Sequence, residues 1–243
     1  MTGGARTRAG VELRYTLRAA TGPGDAQRPR VALIHSLALD QSVWEPVAER
    51  LAADADVLTY DCRGHGRSAR PPGPYSLALF ADDLADLLDA IGWDTAAVAG
   101  ASMGGSVAQA FATTYPERVQ ALGLVDFQVT RWFSDQFRER HPEVVERTTR
   151  LFVANDIECY VATCHMLGAF DLREAVARVR VPTAVIVGEQ DYATPVDMAR
   201  ELHAAVVGSS LHVLPATRHL SPLEQPETIA QILCDLLPAP DLV

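Results

Sequence analysis

Short apolar runs alternate with longer amphipathic stretches along almost the whole of this 243-residue chain. The apolar runs are too short and too uniform to be amphipathic helices, which favours strands buried on both faces of a parallel sheet. They are RVALIH (30–35), DVLTYD (56–61), TAAVAG (95–100), ALGLVD (121–126), TAVIVG (183–188) and LHVLP (211–215). The alternation predicts an α/β fold, with a mainly parallel sheet and helices on both faces. Such sheets bind ligands at the carboxyl ends of their strands.

The clearest helical pattern is SLALFADDLADLLDAIG, residues 76–92. Its large apolar side chains recur at the spacing of one helix face, and its carboxylates fall on the other. These carboxylates are Asp82, Asp83, Asp86 and Asp89. Ser76 is placed to cap the first turn and Gly92 to end the helix.

One stretch, residues 127–180, interrupts the alternation because it holds only aromatic-rich helical patterns. We interpret it as a helical cap inserted over the carboxyl edge of the sheet, with residues 1–126 and 181–243 forming the core. VELRYTLRA, residues 11–19, is expected to add an antiparallel edge strand. The first ten residues read as a flexible start, and residues 21–29 as a turn-rich link.

The charge of the chain limits its partners. Its formal net charge is −10, and its basic side chains, all of them arginines, form no basic run, so nucleic acid and anionic membranes are not expected partners. No apolar segment has the length of a membrane span or the form of a signal peptide, so we expect a cytoplasmic protein. A small-molecule substrate is expected, and a homo-oligomer is left open.

The four cysteines are too scattered for a disulfide framework, and we interpret them as thiols. Cys159, Cys164 and His165 stand close together in CYVATCH, but this spacing offers no fourth ligand for zinc. We therefore expect no metal and no cofactor.

The segment VAGASMGG, residues 98–105, places a serine between glycines where a strand candidate meets a helix candidate. A Gly-x-Ser-x-Gly sequence in this context is typical of a nucleophile elbow, a sharp turn that exposes the serine hydroxyl above the sheet. Gly100 and Gly104 would allow strand and helix to approach closely. Ser102 is therefore the predicted nucleophile.

A serine nucleophile needs a histidine base and a carboxylate that orients it, in the chain order Ser, acid, His for this kind of turn. His219 follows the last strand candidate and is the predicted base. Asp191 and Asp126 both end strand candidates. We favour Asp191 as the acid, because Asp126 adjoins the cap and could serve as a helix cap or hinge.

The oxyanion formed by attack on a carbonyl needs two N–H donors. Met103, which follows the nucleophile, is the first predicted donor. Leu37, in the loop after RVALIH, is the second.

Five motifs in order resemble the α/β-hydrolase fold family over nearly the whole chain: IHSLALDQSVW, YDCRGHGRS, GASMGG, GEQDYATP and the His-x4-Glu-x-Pro of His219, Glu224 and Pro226. Within that family the chain is most similar to 3-oxoadipate enol-lactonases. The resemblance implies a cofactor-free serine hydrolase of a small lactone or ester and the same site residues. The alternatives are a carboxylesterase, a C–C bond hydrolase, or a non-hydrolytic cyclase or binding protein on this fold.

An enol-lactone of this kind carries a carboxylate, which a chain of net charge −10 would repel without a local cation. Arg131 is the candidate anchor, since it opens the cap, and Trp132 would form an apolar wall beside it. The alternative is that Arg131 is a solvated residue at a helix start.

Overall fold

The computed structural model describes residues 1–22, 28–125 and 132–238. The strands within these ranges are β1 (Thr2–Arg6), β2 (Glu12–Arg18), β3 (Arg30–Ile34), β4 (Asp56–Tyr60), β5 (Ala96–Ala101), β6 (Val119–Val125), β7 (Thr183–Gly188) and β8 (Ser210–Leu214). The α-helices are α1 (Glu45–Leu51), α2 (Leu77–Ala90), α3 (Met103–Thr114), α4 (Asp135–Arg140), α5 (Pro142–Val153), α6 (Ile157–Ala169), α7 (Arg173–Val176), α8 (Val196–Ala205), α9 (Ser221–Glu224) and α10 (Pro226–Leu236).

The strands form one sheet in the order β1-β2-β4-β3-β5-β6-β7-β8. β1 and β2 pair antiparallel with each other, β2 pairs antiparallel with β4, and the remaining neighbours are parallel. The predicted α/β fold and the antiparallel edge strand are therefore confirmed.

The interpretation of the first residues as flexible is wrong. They form β1, which pairs with β2 from Thr2 opposite Thr16 to Arg6 opposite Glu12. Gly10, with φ of +79°, lies in the turn between the two strands. The sequence pattern hides this strand because its segment TGGAR buries only Ala5 and lacks the large apolar side chains that mark an inner strand.

The core consists of two layers, one on each face of the sheet. Side chains of β3 alternate between them, as the two-residue period of a strand requires. Ala32 and Ile34 join the layer packed against α2 and α3, whereas Val31 and Leu33 join the layer packed against α1 and α10. Helices on both faces leave the carboxyl ends of the parallel strands as the place where loops can build a site.

Between β6 and β7 the described chain contains only helices, α4 to α7. This segment contacts the rest of the molecule at several points. The hydroxyl of Tyr75 donates a hydrogen bond to Cys159 Sγ at 3.2 Å, and Asn155 Nδ2 donates one to the carbonyl oxygen of Ala38 at 2.6 Å. No helix in the described ranges is long and apolar enough to cross a bilayer.

Helix α2 has the predicted N-cap and end. Ser76 accepts a hydrogen bond from the backbone N–H of Leu79 at 3.2 Å, and Gly92 has φ of +74°. Asp83, however, does not lie on the exposed face. Its carboxylate is buried and accepts hydrogen bonds from Nε and Nη2 of Arg63, both at 2.6 Å. Burial raises the pKa of Asp83, and Arg63 opposes that shift.

Replacing Asp83 by Asn is expected to lower the free energy of unfolding by about 3–5 kcal/mol, because the Arg63 charge would stay buried without a counter-charge. Urea unfolding measures this loss. The exposed neighbour Asp82→Asn is the matched control and should cost less than about 1 kcal/mol. The double variant Arg63→Met, Asp83→Leu should recover most of the loss, and equal costs for Asp83→Asn and Asp82→Asn would contradict the assignment.

Candidate active site

Ser102 lies at a sharp turn between β5 and α3. Its φ of 55° and ψ of −118° fall in a region that residues with a side chain rarely adopt. The turn is held on both sides by hydrogen bonds. The backbone N–H of Ser102 donates to the carbonyl oxygen of Val125 at 2.8 Å, and the backbone N–H of Gly105 donates to the carbonyl oxygen of Ser102 at 2.8 Å. The predicted strand–turn–helix context is present.

Two glycines allow this turn to form. A Cβ atom on Gly100 would lie 2.0 Å from the carbonyl oxygen of Gly104, and one on Gly104 would lie 2.1 Å from that of Ile34. Both contacts are with backbone, which cannot turn away as a side chain could. Hence α3 starts in direct contact with β5 and with the end of β3.

His219 and Asp191 meet at the same end of the sheet. Asp191 follows β7, and His219 lies in the loop after β8. The Nδ1 atom of His219 is 2.9 Å from Oδ2 of Asp191, and both side chains are almost fully buried. The other ring nitrogen of His219, Nε2, is also buried and has no hydrogen-bond partner among the described residues, Ser102 included.

The Asp191 carboxylate is held by its own loop. Oδ1 accepts hydrogen bonds from the backbone N–H of Ala193 at 2.9 Å and of Thr194 at 3.2 Å. Oδ2 accepts one from the Thr194 hydroxyl at 2.8 Å, besides the bond with His219. These donors fix the carboxylate in the orientation that meets the imidazole. The rival acid, Asp126, lies outside the described residues.

Leu37 and Met103, the predicted N–H donors, stand on the two elements that meet at Gly104. Met103 is the first residue of α3, and Leu37 lies in the loop after β3. Ala38, next in that loop, has φ of +61°, and its carbonyl oxygen accepts the hydrogen bond from Asn155. The helical segment thus holds the loop that carries Leu37.

A buried histidine fixes the other side of this loop. Nδ1 of His35 lies 2.8 Å from the carbonyl oxygen of Ser36, and Nε2 accepts a hydrogen bond from the backbone N–H of Cys62 at 2.9 Å. The ring is therefore neutral with its proton on Nδ1, and burial lowers the pKa of His35. Burial, with a contribution from His35, lowers the pKa of the adjacent His65 to about 3.

The loop of His219 is bonded to the start of the helical segment. On one side of His219, the backbone N–H of Leu220 donates to the carbonyl oxygen of Trp132 at 2.8 Å. On the other side, Nη1 of Arg218 donates to the carbonyl oxygen of Phe133 at 3.0 Å. The backbone before α4 and the backbone around His219 are thus fixed relative to each other.

Glu224 also connects the backbone near His219 to the start of the helical segment. The sequence did not reveal this contact, although Glu224 belongs to the His-x4-Glu-x-Pro motif. Its carboxylate accepts hydrogen bonds from the backbone N–H of Arg218 at 3.0 Å and of Ser134 at 3.1 Å, and from the Ser134 hydroxyl. Burial raises the pKa of Glu224, and these donors oppose the shift. The motif signalled a structural requirement, but its partner in the helical segment follows only from the fold.

The remaining predicted residues are distributed as follows. Arg131 lies outside the described residues. Trp132 is half-buried, and its ring packs edge to face on Phe152, with ring centroids 5.4 Å apart. In CYVATCH, Cys159 is buried beside Tyr75 and His165 is exposed. Among the described residues, no group of three or more metal-ligating side chains is close enough to bind an ion.

Comparisons with known proteins identify the family of this fold. A family model described as "alpha/beta hydrolase fold" matches residues 29–171, more than half of the chain. The chain is similar to 3-oxoadipate enol-lactonase 2 of Acinetobacter baylyi, with 32% identity over 232 residues that cover 84% of this chain and 86% of that protein.

Solved structures resemble the chain over nearly its whole length. The enol-lactonase from Burkholderia xenovorans has a TM-score of 0.89 and 28% identity, with 96% of this chain and 99% of that chain covered. A thermophilic esterase from Thermogutta terrifontis has a TM-score of 0.87 and 26% identity, with 97% of each chain covered. The resemblance predicted from the motifs is confirmed.

Replacing Glu224 by Ala is expected to lower the free energy of unfolding by about 3 kcal/mol, because buried donors on Ser134 and Arg218 would lose their acceptor. Urea unfolding measures the loss. Glu227→Ala is the matched control: Glu227 pairs with Arg50 in an exposed ion pair, so its loss should cost less than about 1 kcal/mol. Similar costs for the two variants would contradict the role of Glu224.

Proposed function

This chain belongs to the α/β-hydrolase fold family, and we propose that it is a serine hydrolase that opens a small lactone or ester. Ser102 is the nucleophile, His219 the general base and Asp191 the carboxylate that orients the base. The reaction needs no cofactor in this scheme, since each step uses groups of the chain and water.

The observation that carries the proposal is the 2.9 Å contact between His219 Nδ1 and Asp191 Oδ2 at the edge of the sheet where Ser102 turns into α3. With Nδ1–H donated to the carboxylate, the lone pair of the imidazole is on Nε2. This atom is buried and accepts no other hydrogen bond from the described residues. It is therefore free to take the serine proton. Such catalytic hydrogen bonds often shorten only when substrate binds.

In the first half of the reaction, Ser102 Oγ attacks the carbonyl carbon while its proton passes to His219 Nε2. The negative charge that develops on the carbonyl oxygen is bound by the N–H groups of Leu37 and Met103. The intermediate collapses, the C–O bond to the leaving group breaks, and His219 returns the proton to that oxygen. In a lactone the acyl part and the alcohol part stay joined in one molecule, which is now bound to Ser102 as an acyl ester.

In the second half, His219 takes a proton from water, and the hydroxide attacks the acyl carbon. Collapse of this intermediate breaks the bond to Ser102 Oγ, which recovers its proton from His219. The buried Asp191 stabilises the imidazolium that forms in each half and stays ionised throughout.

The lactone assignment rests on similarity to 3-oxoadipate enol-lactonases, of which one is 32% identical to this chain. For such a substrate we propose Arg131 as the anchor of the free carboxylate, with Trp132 as an apolar wall. We also propose a cytoplasmic location and no nucleic-acid or membrane partner, in keeping with the net charge of −10.

A carboxylesterase is the second candidate. It is favoured by the similarity to the Thermogutta terrifontis esterase, whose TM-score of 0.87 is close to the 0.89 of the enol-lactonase. The chemistry is the same in both cases, so a panel of lactones and acyclic esters compared by kcat/KM distinguishes them.

Ser102→Ala and His219→Ala are each expected to lower kcat by roughly 10³-fold or more, because the two residues act as one unit. Initial rates on a lactone or ester measure this, with circular dichroism to verify folding. Ser106→Ala is the matched control, since Ser106 is a buried serine in the first turns of α3. This variant should keep near-normal turnover. Normal turnover by Ser102→Ala would refute the proposal.

The choice of acid has its own test. Asp191→Asn should be strongly damaging, because the amide favours the wrong imidazole tautomer, whereas Asp126→Asn should be mild. The reverse ranking in kcat would show that Asp126 is the acid.

Arg131→Met should lower kcat/KM for an anionic lactone by a factor that corresponds to roughly 2–4 kcal/mol of transition-state free energy. For a neutral ester of similar size kcat/KM should change little. Arg138→Met is the control, because Arg138 is exposed on α4 and pairs with Asp135. Equal effects of Arg131→Met on both substrates would remove Arg131 as the carboxylate anchor.

A further inference from the structure

A cavity of about 580 Å³ lies between α3, α7 and α8, over β6 and β7. Its volume is within the range of about 300–1,000 Å³ that is usual for small-molecule sites. α7, a single turn over Arg173–Val176, contributes Arg173 and Val176 to its wall. No step of the proposed reaction uses it.

The inner walls of the cavity are apolar. Leu124 of β6 and Val185 and Val187 of β7 form its floor, and Val176 and Leu202 contribute from α7 and α8. Removing apolar surface of a ligand from water onto such walls provides a favourable free energy of binding.

One uncharged polar side chain of this lining comes from α3. Gln109 is 6% exposed and lines the cavity. Its amide can both donate and accept a hydrogen bond, so a ligand that offers a carbonyl or hydroxyl group can pair with it, whereas a purely apolar ligand would displace water from it without a replacement.

The charged groups of the lining are confined to the rim. Arg173 and Asp171 are exposed and form an ion pair with each other, and Glu201 is exposed on α8. A ligand with a full charge would thus lose hydration inside the cavity without gaining a buried counter-charge.

The cavity borders on the candidate active site but is lined by different groups. Its Thr194 donates the hydroxyl hydrogen bond to Asp191, and its Val125 accepts the backbone bond from Ser102. Neither Ser102 nor His219 is part of the described lining.

We propose that this cavity is a second binding site, separate from the point of attack, for small uncharged and mainly apolar molecules that carry one carbonyl or hydroxyl group. Gln109 pairs with that group. That the cavity binds such molecules is argued from the cavity itself. That this site is distinct from the active site rests on the proposed role of Ser102.

Acetophenone is a suitable probe, since it is uncharged and mainly apolar, and its ketone has no leaving group, so it cannot donate an acyl group to Ser102. Calorimetric titration is expected to show binding to the native protein, with at least tenfold weaker binding of benzoate, its anionic counterpart. Gln109→Leu should weaken acetophenone binding about tenfold. Ala205→Trp should abolish binding, because Ala205 lines the cavity.

Ala204→Trp is the matched control for Ala205→Trp. Ala204 is exposed on the same helix and is not part of the described lining, so its replacement should leave binding within twofold. Equal binding by wild type, Gln109→Leu and Ala205→Trp would overturn the proposal.

Protein whose Ser102 carries a covalent phosphonate should still bind acetophenone. Loss of binding on phosphonylation, together with purely competitive kinetics, would show that the probe occupies the active site and would overturn separateness. Failure of the hydrolase proposal has a different signature: no phosphonylation of Ser102 and no turnover, with the calorimetric ranking of the cavity variants unchanged.

Discussion

The close approach of α3 to the strands is the constraint on which the candidate site depends. Gly100 and Gly104 let the first turn of the helix touch the backbone of β5 and β3, at places where a Cβ would come within 2.0–2.1 Å of a carbonyl oxygen. The chain can make that contact only by turning sharply at Ser102, whose backbone conformation costs about 1–3 kcal/mol. Packing of α3 in the core offsets this cost, so the serine stays fixed at the sheet edge without a flexible loop.

The proposed catalytic partners of Ser102 come from loops, and each loop is held by a different part of the fold. Asp191 is fixed by donors of its own loop, and the His219 loop is bonded to Trp132 and Phe133 directly and to Ser134 through Glu224. The loop of Leu37 is bonded to Asn155 through Ala38. The segment between β6 and β7 therefore contacts two of the loops at this edge of the sheet. A change in the packing of this segment would reach both the proposed base and a proposed oxyanion donor.

The sequence predicted what depends on local patterns. The inner strands follow from their apolar runs, with β7 at the predicted residues 183–188. The pairing of His219 with Asp191 follows from chain order, because the loops after neighbouring parallel strands share one edge. Contacts between distant segments could not be predicted this way. β1 forms by pairing with β2, the buried Asp83 pairs with Arg63 twenty positions away in the chain, and Glu224 meets Ser134 ninety positions away.

Buried hydrogen bonds and ion pairs join these segments at a desolvation cost, and apolar side chains could supply comparable stability. Burial raises the pKa of Glu224 and of Asp83, which is the signature of a desolvation cost. The advantage of these polar contacts is that a hydrogen bond fixes the direction in which its two groups approach each other. The Glu224 carboxylate meets its donors on Ser134 and Arg218 in one arrangement, whereas two apolar surfaces could slide past each other with little loss. A general base, the role that we propose for His219, must be held within about half an ångström of its productive position. The polar contacts beside His219 fix its loop more narrowly than apolar packing alone would.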